Sequence, residues 1–212
     1  MFAAWYAASA GSVNVATDRH RTCGCERVGR RDAWAWLGGT GLNVAQRLVI
    51  TGVVADALLH PRDRRYDGKG IGTRGLVLVA ASLLVPALQL TARRRRRYPL
   101  AIDNLYLSIF ALDMAGNYLD LYDRYRYFDL IPHFHGTGAA TVVLSRLLRQ
   151  PILAGVGLAQ VVHIGLEAQE YYSDVLFDLH NVRGTWDTVN DLLAGASGSL
   201  AYAGIVRLLG DR

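Results

Sequence analysis

The apolar residues of this chain are gathered into long blocks, and the joints between the blocks are polar and rich in arginine. A helix that crosses the hydrocarbon core of a membrane needs about 20 predominantly apolar residues, which is roughly the length of these blocks. The 212 residues accommodate about five or six such helices and leave no separate soluble domain. We therefore predict an all-α integral membrane helical bundle of about five to six transmembrane helices.

The predicted spans form a single bundle, residues 34–209. They cover approximately residues 34–59, 73–92, 99–121 and 132–148, a fifth span that begins at Pro151, and residues 186–209. Small residues at positions 195 and 197–199 of the last span predict a close approach to a neighbouring helix. Segment 1–33 is predicted to be a basic N-terminal tail, because its apolar patch is too short for a span. Its lone Cys23-Gly-Cys25 predicts neither a disulfide framework nor a zinc site.

The net charge of +5 would also suit a nucleic-acid-binding protein. The arginines, however, lie at the ends of apolar blocks, so we predict membrane lipids and no nucleic acid as partners. The arginine run 93–97 is predicted to be cytoplasmic, which places both termini of a multi-pass cell-membrane protein in the cytoplasm. The basic loop 60–74 disagrees with this orientation, so either this loop is an exception to the rule or the first span is re-entrant. The sequence predicts no oligomeric state.

An imidazole and three carboxylates share one face of the fifth span. His163, Glu167, Glu170 and Asp174 follow the spacing i, i+4, i+7, i+11, which aligns their side chains along one stripe of a helix. The predicted topology brings further polar residues of other spans to the same outer end of the bundle: Asp113, Asn117, Asp120, Asp129, His133, His135, Asp187 and Asp191. Ionisable groups within membrane spans are expensive to bury, so this cluster is a candidate functional site.

Mixed imidazole and carboxylate side chains favour a divalent metal such as zinc, manganese or iron. We predict His133, His163 and Glu167 as metal ligands, with Asp191 as a further metal-site residue beside them. Glu170 and Asp187 are the candidate catalytic bases. His133 and His135 point about 200° apart on a helix, so only one of them can face the site. Such a site would suit a metal-dependent hydrolase or transferase that acts on a lipid-linked or phosphate-bearing substrate.

Three motifs in order carry a resemblance to a known family. They are Asp129-Leu-Ile-Pro-His133-Phe-His135-Gly136, Gly165-Leu-Glu167-Ala-Gln-Glu170, and the segment that runs from Gly184-Thr-Trp-Asp187 through Asn190-Asp191 to Gly198. Together they resemble VanZ-like membrane proteins, and more closely their YjdF-like relatives. The resemblance implies a small helical membrane protein and brings no established reaction with it.

Other interpretations remain open at this point. The protein could be non-catalytic and bind a lipid headgroup or a cation, or its buried carboxylates could form structural ion pairs with arginines. In the structural interpretation the stripe faces Arg124, Arg126 or Arg183, and Asp187 caps the last helix. Asp103 and Asn104 would then pair with the arginine run 93–97. A transporter is disfavoured, because the sequence shows no inverted repeat.

Overall fold

The computed structural model describes residues 30–91 and 98–210, with side chains described from residue 36 onward. Within these residues the chain is helical and contains no strand, so the predicted all-α bundle is confirmed. The helices are α1 (Arg30–Leu59), α2 (Ile71–Ala81), α3 (Leu84–Thr91), α4 (Leu100–Tyr118), α5 (Leu121–Arg124), α6 (Leu130–Leu148), α7 (Ile152–Phe177) and α8 (Thr185–Gly210). Most of the predicted tail, both cysteines and the arginine run 93–97 lie outside the described residues.

Four helical segments are long and apolar enough to cross a membrane. They are Trp36–Leu59 in α1, Ile71–Thr91 over α2 and α3, Ile152–Phe177 and Thr185–Gly210. Their outer faces expose large apolar side chains, among them Leu48, Val161 and Leu200, each more than half exposed. Lipid covers such faces, whereas soluble monomers rarely expose continuous apolar patches of this kind. The chain is therefore a membrane protein.

Helices α4 and α6 are less apolar than these four segments, and they occupy the centre of the bundle. Helix α4 packs between α1 and α6, and α6 also contacts α7 and α8. Neighbouring helices therefore shield them from lipid, which allows them to carry buried polar residues such as Asp103, Asn104 and Thr141. Both were predicted as spans, and their lower hydropathy follows from their interior position.

Helices α6 and α8 approach closely because glycines lie at their crossing. A Cβ atom on Gly198 would overlap the backbone carbonyl of Phe134, and one on Gly138 would lie 2.9 Å from the carbonyl oxygen of Gly198. Gly155 allows the same approach of α7 to the Thr141 carbonyl of α6. The close approach predicted from the small residues of the last span is thus present.

A partly buried arginine, Arg47, holds the break between α2 and α3. Proline at position 86 has no N–H, so the carbonyl of Ser82, four residues earlier, loses its helical partner. The guanidinium of Arg47 donates to that carbonyl and also pairs with Asp103 at 2.8 Å. Asp103 is fully buried and also accepts hydrogen bonds from Asn43 and Tyr98, at 2.7 and 2.6 Å. Its predicted partners, the arginines 93–97, lie outside the described residues, and Arg47 is the partner that the structure shows.

Three loops meet at the end of the bundle that the sequence assigned to the outer side. Lys69 of loop 60–70 pairs with Asp123 of the short helix α5 at 2.7 Å, and the His180 N–H donates to the Gly68 carbonyl at 2.8 Å. Partial burial raises the pKa of Asp123, but Lys69, Asp120 and Arg183 together lower it overall. The basic residues of the discordant segment that pair with carboxylates are Arg64, Arg65, Lys69 and Arg74. The orientation that places this basic segment outside stays a prediction.

Candidate metal centre

Three side chains from two helices converge in the interior of the bundle. His133 lies in the first turn of α6, and His163 and Glu167 lie one turn apart on α7. His133 Nδ1 is 2.8 Å from His163 Nε2. Glu167 Oε1 is 3.3 Å from His163 Nε2 and 3.5 Å from His133 Nδ1. One nitrogen or oxygen of each residue thus occupies a corner of a small triangle.

The triangle has the dimensions of a transition-metal site. Ligand atoms about 2.0–2.1 Å from a metal lie about 2.9 Å apart at a right angle and about 3.4 Å apart at a tetrahedral angle. The three observed distances, 2.8, 3.3 and 3.5 Å, fall close to this range. Glu167 Oε1 is buried, and it has no partner in hydrogen-bond geometry among the described residues although both imidazoles are near. An unpartnered buried carboxylate oxygen is costly, and a cation at the centre of the triangle would offset that cost.

A glycine on α8 makes room for the ring of His163. A Cβ atom on Gly195 would overlap Cε1 and Nδ1 of that ring and would lie 2.7 Å from Thr137 Oγ1. The ring itself is only 3% exposed. The Gly-rich pattern of α8 therefore serves the site directly as well as the crossing with α6.

The second nitrogen of His133 faces carboxylates. Nε2 lies 3.4 Å from Asp129 Oδ1 and 3.8 Å from Asp191 Oδ1. This arrangement favours the tautomer in which Nε2 carries the proton and Nδ1 directs its lone pair into the triangle, the usual support for a metal-binding histidine. Asp191 therefore lies beside the predicted ligands, on the opposite side of the His133 ring from the triangle. With Asp129 and His133 it forms a second set of side chains that could hold a metal.

The two predicted bases lie apart from the triangle. Glu170 Oε1 is 3.3 Å from Arg74 Nη1, and the same guanidinium is 3.8 Å from Asp113 Oδ2. The structural interpretation predicted Arg124, Arg126 or Arg183 as partners of the stripe, and this prediction was wrong. Arg74 was expected to belong to the basic loop 60–74, but it lies in the first turn of α2 within a candidate span. Asp187 accepts the backbone N–H of Arg183 at 2.9 Å, just before α8 begins. This contact resembles the helix-capping role that the structural interpretation gave to Asp187.

The remaining predicted polar residues have structural partners. His135 bonds Ser108 and Tyr202, each at 2.8 Å, on the side of α6 away from His133, as the helical geometry predicted. Asp113 accepts the Tyr122 hydroxyl at 2.7 Å and the Asn117 amide at 3.0 Å. The other two are Asp120, which pairs with Arg64 and Arg124, and Asp174, which accepts the N–H groups of Asn181 and Val182.

A groove of about 250 Å³ opens next to His133, between the loop that precedes α6 and the first turns of α8. We call it the α8 groove, and its lining includes Arg126, Tyr127, Asp129, Arg183, Trp186, Asp187 and Asp191. A larger cleft of about 580 Å³ lies among loop residues that include Arg64, Arg65 and Arg124, and none of the three candidate ligands lines it.

Comparison with known proteins found no matching family model, no matching curated protein and no matching solved structure. The resemblance to the VanZ-like and YjdF-like proteins therefore stays a prediction from the three sequence motifs.

Proposed function

We propose that this membrane protein binds a divalent transition metal through His133 Nδ1, His163 Nε2 and Glu167 Oε1. The observation that carries the proposal is the convergence of these three atoms, 2.8–3.5 Å apart, around an otherwise unpartnered carboxylate oxygen. Two imidazole nitrogens and one carboxylate favour zinc, manganese or iron over magnesium or calcium, which prefer oxygen ligands.

The ligand set also indicates the use of the metal. Structural zinc sites are closed by four protein ligands, whereas catalytic sites have three and keep one position open for water or substrate. We infer a metal-dependent hydrolase or transferase whose substrate is a phosphate-bearing lipid, because a bound metal would lower the pKa of water and polarise a phosphoryl oxygen. Glu170 and Asp187 are retained from the sequence as the candidate bases, although both lie apart from the three ligands and Glu170 pairs with Arg74.

The three motifs of the family resemblance support the same proposal. They contain Asp129 and His133, then Glu167 and Glu170, then Asp187 and Asp191. Each motif thus contributes at least one residue to the metal centre or to its immediate surroundings. We therefore retain membership of the VanZ-like and YjdF-like group as a proposal, with the site at the outer membrane face and both termini in the cytoplasm.

The structural alternative explains only part of the stripe. An arginine pairs with Glu170, which fits a buried ion-pair network. The groups within ion-pair distance of Glu167 are instead His133 and His163, and no arginine or lysine among the described residues pairs with it. An arginine-based network thus accounts for Glu170 but not for Glu167, whose ion-pair partners among the described residues are the two imidazoles.

Removal of the metal tests the proposal through stability. Binding to the folded state stabilises it by about 2.7 kcal/mol at a metal concentration a hundredfold above Kd. For a chain of this size, chelation should therefore lower Tm by about 5–10 °C, and added zinc should restore it in a concentration-dependent way. Differential scanning fluorimetry of the detergent-purified protein measures both effects. A Tm that changes neither with chelator nor with added metal would refute the proposal.

A further inference from the structure

The rim of the α8 groove presents two arginines that form no ion pair within the described part of the chain. The Arg126 guanidinium lies over the Tyr127 ring, 5.5 Å from its centroid, and Arg183 donates to the backbone carbonyl of Tyr122 at 2.8 Å. Both arginines line the groove and are exposed, as is Trp186. Most other basic residues at this end pair with carboxylates: Arg64, Arg65, Lys69, Arg74 and Arg124. Two guanidinium groups without an ion pair at one groove favour an anion, and guanidinium groups bind phosphate well.

The floor of the same groove has the opposite charge. Asp191 is 4% exposed, and its Oδ1 atom has no hydrogen-bond partner among the described residues. The nearest imidazole nitrogen, His133 Nε2, is 3.8 Å away, which is too far for a hydrogen bond. Asp187 lines the wall, and one of its oxygens already accepts the Arg183 N–H. A cationic donor from a bound molecule would satisfy the acceptor at the floor.

We propose that the α8 groove binds a phosphate ester that also carries a primary amine, as in the phosphoethanolamine headgroup of a membrane phospholipid. The phosphate lies between Arg126 and Arg183, and the ammonium group donates to Asp191. This order follows the burial of the lining, because the arginines are exposed and Asp191 is buried. The inference rests on the proposed function for the reaction that follows binding, whereas binding itself needs no metal.

The position of the groove favours a lipid over a free phosphate ester. Trp186 at the rim is 77% exposed, and the nearby Tyr125 and Tyr127 are more than 60% exposed. Exposed tryptophan and tyrosine side chains are typical of the level at which lipid headgroups lie. The groove is also next to the metal centre, since Asp129 and Asp191 face the second nitrogen of His133.

Lipid binding to the detergent-purified chain tests the inference. Titration calorimetry uses short-chain phosphatidylethanolamine, short-chain phosphatidylglycerol and free phosphoethanolamine. The two lipids share the phosphate and differ in the amine, and free phosphoethanolamine lacks the lipid part. We expect phosphatidylethanolamine to bind about tenfold more tightly than either of the others. Arg126→Ala should weaken both lipids about tenfold, and Asp191→Asn should weaken only phosphatidylethanolamine. Arg62→Ala is the matched control, because Arg62 is exposed in a loop at the same end, lies outside the groove lining and should change nothing.

Several results would overturn the inference. These are equal affinity for the two lipids, affinity for free phosphoethanolamine equal to that of the lipid, unchanged binding in Arg126→Ala, or loss of a second metal equivalent in Asp191→Asn. Metal content measured on the same samples separates the two proposals. Stoichiometric metal without a preference for phosphatidylethanolamine contradicts only the inference. The preference without any metal contradicts only the proposed function.

Discussion

Replacement of Glu167 by glutamine is expected to remove the bound metal while the fold persists. The amide keeps the shape of the side chain but loses the charge and one acceptor oxygen, so a three-ligand site is reduced to two imidazoles. We expect metal content to fall from one equivalent to below about a tenth of one, since loss even of an outer-shell partner weakens binding about 10–100-fold. Elemental analysis of purified protein measures it.

Glu170→Gln is the matched control on the same helix. Glu170 lies one turn beyond Glu167 but pairs with Arg74, so its amide variant should retain the metal and lose stability through the unpaired arginine. In the presence of chelator, Glu167→Gln should instead melt at or above the temperature of the wild-type protein under the same conditions, because the metal-free variant no longer buries an uncompensated carboxylate. If both variants bind metal equally, Glu167 is not a ligand.

Gly198→Ala is expected to cause the largest loss of stability among single alanine substitutions in α8. The new Cβ atom would overlap the backbone carbonyl of Phe134, and backbone cannot rotate away as a flexible side chain can. Overpacking costs about 1–3 kcal/mol where side chains adjust, so we expect about 3 kcal/mol or more here. Thermal unfolding in detergent measures the difference.

Gly204→Ala provides the comparison on the same helix. No atom lies within 4 Å of the position that its Cβ would occupy. Alanine there should leave Tm unchanged or raise it, because it favours the helix by up to about 1 kcal/mol over glycine. Equal melting temperatures for the two variants would show that α6 and α8 do not cross closely at Gly198.

The apolar blocks were sufficient to predict the fold, because the length of each membrane helix follows from a continuous stretch of sequence. The predicted start of the fifth span at Pro151 agrees with α7, which begins at Ile152, and the last span, 186–209, agrees with Thr185–Gly210. For the break between α2 and α3 near Ser82, the only signal in the sequence was Pro86. Its partner Arg47 could not be predicted, since their contact spans 35 residues and depends on how α1 packs against α2 and α3.

The candidate site was predicted in part, for a similar reason. Helical periodicity places Glu167 and Glu170 on one face of α7 with His163, but it does not say which helix lies opposite at each depth. Glu170 is seven residues from His163, and at about 1.5 Å per residue this is about 10 Å along the axis. At that level the neighbour is Arg74, whereas His133 lies opposite His163. The side of the His133 ring that faces Asp191 likewise depends on the rotamer and not on spacing.

The most direct measurement is X-ray absorption at the edge of the metal in wild-type protein purified without added metal. A metal held by His133, His163 and Glu167 should give a first shell of two imidazole nitrogens and at least one oxygen at about 2.0–2.1 Å, with the outer-shell scattering typical of imidazole rings. This pattern is the result that we predict. A protein without stoichiometric metal, or a metal in a shell of oxygen atoms alone, would contradict the assignment of these three residues.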